Sequence, residues 1–174
     1  MSPRPMAAEL TPSERLQPSL LDRLTDDDPG KTAESRESRV LSMSQLRAAV
    51  QRDLGWLLNT SSRASFEPIG DYPEVAKSVL NFGIPDLCGT TASGISEGEI
   101  ERTIRAAIQV YEPRILRRGL AVRLQRGESD RGPTVITLEI TGEIWAQPYP
   151  EQLYIRTELD LDTGECRVPG GSHG

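Results

Sequence analysis

Glu112 and Arg114 flank Pro113 in the stretch YEPR, an acid and a base held two residues apart by a rigid link. Such a carboxylate has three uses: general acid or nucleophile, half of an ion pair, or contact point for another protein. Glycoside hydrolysis is the catalytic option, and it needs a second acid roughly 5–10 Å away. No second acid is singled out by spacing. Trp56, Trp145 and the four tyrosines are able to stack on sugars, but packing accounts for them as well. Nucleophilic catalysis of the Ser-His-Asp or Cys-His kind has no base available, because the one histidine, His173, lies in the tail GGSHG. Cys88 and Cys166 are far apart and lack the spacing of a zinc site. No glycine-rich phosphate loop is present. The run from Asp160 to Glu165 has calcium-loop character, yet its glycine falls one place early and its twelfth position is Gly171. A tight turn is the expectation there. The sequence therefore predicts no catalytic residue, no metal and no cofactor.

The elements around the corner explain its position. IERTIRAAIQVY places Ile100, Ile104, Ile108 and Tyr111 on one helical face, and Ser96 with Glu99 makes a capping box. The spacing predicts a helix over 96–111 that Pro113 stops, since proline lacks an N–H and drives the preceding residue out of the helical region. Glu112 and Arg114 are then either a surface pair worth about 0–1 kcal/mol, or an acid and a base presented to a neighbour. A second helix is expected over 42–58, capped by Ser42 and Gln45, with Met43, Leu46, Val50, Leu54, Leu57 and Leu58 on its apolar face. A short one is expected over 72–80. Beyond the corner the period becomes two. Leu120, Val122 and Leu124, then Ile136, Leu138 and Ile140, then Leu153 to Leu161 alternate with polar residues. This predicts an α+β fold, with N-terminal helices packed on one face of a small antiparallel three-stranded meander sheet. The last strand contains no proline or glycine, so it is expected to be an open edge carrying Tyr154, Arg156 and Glu158. The first strand, Leu116 to Gln125, is the next candidate.

The chain of 174 residues fits one domain with extensions. Its formal net charge of -6 opposes nonspecific binding to nucleic acid or to anionic membrane, although a local patch of Arg114, Arg117, Arg118 and Arg123 stays open as a reading. No apolar run approaches the roughly 20 residues of a membrane span, no signal-peptide core is visible, and two unpaired thiols fit a cytoplasmic protein. Residues 1–41 are expected to be a flexible extension, 42–168 the folded domain and 169–174 a tail. Within the extension, PSLLDRL at 18–24 puts Leu20, Leu21 and Leu24 ahead of a polar linker. This motif either folds back on its own domain or lies in a partner's groove.

PSLLDRL, SQLRAAVQRDLGWLLNT, YPEVAKSVLNFGIPDL, IERTIRAAIQVYEPRI and LYIRTELDLDTGE follow one another across about residues 18–168. In that order they resemble the type VI secretion baseplate family TssE and, more broadly, the phage baseplate wedge family historically labelled lysozyme-like. The resemblance implies a structural component at the baseplate–sheath junction of a contractile injection machine. It implies assembly contacts through Glu112, Pro113 and Arg114, the other wedge proteins TssF, TssG and TssK as partners, and the sheath proteins TssB and TssC. Its implied place is the cytoplasm, recruited to an inner-membrane-anchored apparatus. The competing expectations are a peptidoglycan hydrolase, as the old label suggests, and an adaptor for an unrelated partner through PSLLDRL.

Overall fold

The computed structural model describes residues 19–25, 42–87, 96–125, 135–146 and 149–168. The extension expected over 1–41 lies outside them except for 19–25, and so do the tail, Cys88 and the connection after the first strand.

The two long helices start where their caps predict. Helix α2, Met43–Leu58, carries a complete capping box between Ser42 and Gln45. Helix α4, Glu97–Tyr111, carries one between Ser96 and Glu99. Each box satisfies two backbone donors that a helix start leaves free. Leu46, Val50, Leu54, Leu57 and Leu58 of α2 are buried, as are Ile100, Ile104 and Ile108 of α4. Met43 and Tyr111 are half-buried at the edge of this core. Ahead of them stands the short helix α1, Leu20–Leu24, with Ser19 as its cap.

The helix expected over 72–80 is two pieces, α3 at Pro73–Ala76 and a 3-10 turn at Val79–Asn81. Side chains cause the break. The Ser78 hydroxyl donates to Val75 O and the Asn81 amide to Ala76 O, so carbonyls that would continue the helix are already taken.

The sheet is an antiparallel meander of four strands in the order β1-β2-β3-β4. The strands are β1 Ala121–Gln125, β2 Val135–Ile144, β3 Glu151–Asp160 and β4 Cys166–Arg167. The first three correspond to the expected alternation. The fourth is two residues long, too short to show a period. It is delivered by the expected tight turn, in which Asp160 Oδ1 accepts from the Asp162 and Thr163 N–H groups and Gly164 takes φ 74°. Leu153, Ile155, Thr157 and Leu159 of β3 face the core with Leu138, Ile140 and Val122, while Tyr154 and Arg156 face away from it. Thr157 is buried because its hydroxyl donates to Arg167 O. Helix α4 packs on β1, and α2 packs on α4 and β4. A fully buried leucine or isoleucine in this layer contributes about 1.5–3 kcal/mol.

Candidate functional site

Helix α4 ends at Tyr111, and Pro113 keeps Glu112 out of the helical region, at φ -121°, ψ 76°. The corner then fastens to the end of β2. Trp145 N donates to Arg114 O at 2.7 Å, Leu116 N donates to Glu143 O at 2.8 Å, and Ile115 bridges Ile144. Pro113 stays exposed.

The acid at this corner is not presented to solvent. Glu112 is only 3% exposed. Its Oε1 accepts from Arg114 Nε at 2.7 Å and from Arg114 N at 3.2 Å, and its Oε2 pairs with Arg114 Nη2. The same Nη2 reaches Asp53 Oδ2 at 2.5 Å. Burial of the guanidinium works against its charge, but Glu112 and then Asp53 outweigh it, so Arg114 holds its proton above the usual arginine value. This pair is more enclosed than a surface pair and less available than a displayed one.

Asp53 continues the chain of charges. Its Oδ1 accepts from Arg52 Nε at 2.8 Å, and Arg52 Nη1 donates to Asp22 Oδ1 at 2.6 Å. Ser19 Oγ caps α1 and donates to Asp22 Oδ2 at 2.6 Å. Burial acts to raise the Asp22 pKa. Ser19 and Arg52 outweigh that and hold it below the ordinary carboxylate value. Arg52 also lies over the Trp56 ring, 4.8 Å from its centroid. Glu112, Arg114, Asp53, Arg52 and Asp22 thus form one alternating line. It joins the two stretches that sequence reading singled out separately, the YEPR corner and PSLLDRL. Its middle members escaped that reading. The available signal was Asp53, which stands three residues after Val50 and four before Leu57, both buried, so a charge sits on an apolar stripe.

The leucines of α1 do not enter the core. Leu20 is 71% exposed, Leu21 48% and Leu24 75%. The Asp22–Arg52 pair is what attaches this helix to α2.

The sheet edges differ in how they are closed. Asp160 directs both N–H and C=O toward the β4 side, to Glu165 O and Gly164 N. The β2–β3 register runs without a slip from Asp160 to Glu151, so every second residue of β3 points the same way. Glu158, Arg156, Tyr154 and Gln152 therefore direct their main-chain groups outward. Glu158 is opposite Arg167 of β4. Gln152 O accepts from Arg47 Nη2 at 3.3 Å, and Arg47 also pairs with Glu151. The N–H and C=O groups of Tyr154 and Arg156 remain unpaired among the described residues. Single groups on the other edges are also engaged: Leu124 N of β1 donates to Glu101 Oε1 at 2.8 Å, and Asn59 clasps β4 by exchanging two hydrogen bonds with the Cys166 backbone. The open stretch is shorter than the expected Leu153 to Leu161.

Chemically, this arrangement can hold elements in place and pair with a strand. The two acids nearest to one another at the corner, Glu112 and Asp53, clasp a single arginine nitrogen between them. A glycosidase acid must instead hold a proton for a leaving group. Among the described residues no group of three potential ligands is placed to hold a metal, and no helix is long and apolar enough to cross a membrane. The basic patch loses Arg114, which is neutralised by its two acids.

A capped helix runs into a proline corner that is fastened to a four-stranded meander sheet, an α+β arrangement. The chain belongs to the family of the baseplate wedge protein gp25, whose model matches residues 44–149, from α2 to just before β3. The family is one of structural baseplate components, which places this protein among other baseplate proteins. No curated protein and no solved structure matches the chain.

Proposed function

We propose that this protein is the wedge subunit of a type VI secretion baseplate and that it stands at the baseplate–sheath junction. There it supports wedge assembly and sheath polymerisation. The observation that carries the reading is the open stretch of β3, where Tyr154 and Arg156 direct unpaired main-chain groups outward between Arg47 and β4. A free edge recruits an extended segment by strand addition, with hydrogen bonds supplying affinity and alternate side chains supplying specificity. A sheath subunit, TssB or TssC, provides that strand. The exposed Leu20, Leu21 and Leu24 support a second contact, with the wedge proteins TssF, TssG and TssK. The corner of Glu112, Pro113 and Arg114 serves assembly by fixing the helix end and, through Asp53 and Arg52, the α1 arm. The protein works in the cytoplasm on an apparatus anchored in the inner membrane, and it contacts neither nucleic acid nor lipid directly.

The test sets assembly against hydrolysis. Affinity-tagged full-length protein is expected to copurify with wedge and sheath proteins from cells that express the whole machine, and to leave purified peptidoglycan intact. Turnover of peptidoglycan that is lost in Glu112→Gln, without copurification of either class, would overturn the proposal.

A further inference from the structure

Residues 60–86, which follow α2, are fastened far more firmly than a connection needs to be. Thr60, Ser61 and Ser62 are clamped to Ile84: Ser62 N donates to Ile84 O at 2.8 Å, Ile84 N donates to Thr60 O at 2.9 Å, and Ser61 bridges Ile84. Gly83 makes the clamp possible. It takes φ 125°, and a Cβ there would lie 2.3 Å from Thr60 O. Inside the segment Asn81 accepts from Ala64 N at 2.9 Å and donates to Ala76 O at 3.0 Å, while Ser65 Oγ accepts from Asp86 N at 3.0 Å. From α4, Tyr111 donates its hydroxyl to Asn81 O at 2.8 Å and packs edge-on against Phe82, with ring centroids 5.4 Å apart.

This fixed backbone holds large apolar groups in water. Phe66 is 69% exposed, Tyr72 63%, Val79 81% and Leu80 64%. The turn that carries Val79 and Leu80 packs against both the Arg63–Ser65 turn, which precedes Phe66, and α3, which follows Tyr72, so the backbone pieces that carry the four side chains are neighbours. Exposed apolar side chains on a preset backbone are what a docking face requires, because little conformational freedom is lost on binding. The charges say what docks. Glu67, Asp71 and Glu74 stand against Arg63 and Lys77, and Arg63 is already held by Glu67 at 3.0 Å. Asp71 and Glu74 flank Tyr72. A second copy of this chain would set acids against acids, and an anionic lipid surface would be repelled. The α1 arm is no candidate, since Asp22 ties it to Arg52.

We infer that Phe66, Tyr72, Val79 and Leu80 form a docking face for a wedge protein that brings an apolar ridge edged by lysine or arginine. The inference rests on the baseplate reading above and adds the surface and the partner's chemistry.

The probe is the purified complex of TssF and TssG, titrated against the full-length chain and against a Val79→Ser, Leu80→Ser double variant. Both side chains are exposed, so the melting temperature should move little. Affinity should fall at least about tenfold, the loss expected when apolar anchors leave an interface. Asp71→Lys with Glu74→Lys should slow association and flatten its salt dependence. Wild-type binding with an unchanged affinity in the serine variant overturns this inference alone. Failure of the wild-type chain to bind overturns the baseplate reading with it. Concentration-dependent self-association that the serine variant abolishes assigns the face to a second copy, and also overturns the inference.

Discussion

Arg114 is the residue on which the corner turns, because one guanidinium serves two acids on different elements. Removing it leaves Glu112, only 3% exposed, and the partly buried Asp53 without their shared cation. Breaking a buried pair by deleting one partner costs about 3–5 kcal/mol, and the partial exposure of Arg114 and Asp53 lowers that to about 2–3 kcal/mol. Arg114→Ala is therefore expected to lose that much stability in denaturant unfolding. Glu112→Gln, which still accepts from Arg114 Nε and leaves Asp53 in place, should lose less. Equal and negligible effects from both would mean that the pair is a surface ornament. The sequence showed an acid and a base at a proline. It did not show that they face inward, because that depends on Asp53, about sixty positions earlier in the chain and brought near only by helix packing.

Among the elements, those defined by period and caps were legible and those defined by single contacts were not. Both capping boxes stand where Ser42 and Ser96 predict, and three strands follow from alternation. Strand β4 escaped because two residues carry no period, and its partner Asn59 lies at the end of α2. The split of the 72–80 helix depended on Ser78 and Asn81 side chains competing for carbonyls, which propensity does not reveal. The α1 arm shows the same limit: its leucines were visible, but not that an ion pair rather than packing attaches it. This has a consequence for pH. Asp22 has a lowered folded-state pKa, so its contribution is fully present above the ordinary carboxylate value near 3.8 and is lost as pH falls through the lower folded value. For this partly exposed pair that contribution is about 1 kcal/mol. Amide exchange in Leu20–Leu24 should accelerate as pH drops below about 4, after correction for intrinsic rates. In Asp22→Asn it should be fast already at neutral pH. Protection that is the same in both proteins would show that the arm is held by something else.

For the molecule as a whole, the proposed role rests on the open stretch of β3. Other edge groups are engaged one at a time, Leu124 N of β1 by Glu101, the Cys166 backbone of β4 by Asn59 and Gln152 O of β3 by Arg47. The parity of the edge makes the test sharp. Arg156 directs its N–H outward, where proline is tolerated because no ladder bond is lost. Thr157 directs its N–H toward β2 and is buried, so proline there removes an internal bond. The decisive measurement is sheath polymerisation seeded by baseplates that carry Arg156→Pro, with Thr157→Pro as the control for the opposite parity. Arg156→Pro is expected to fold, join the wedge and fail to seed sheath, while Thr157→Pro unfolds. An Arg156→Pro protein that folds and seeds sheath at the wild-type rate would contradict the account.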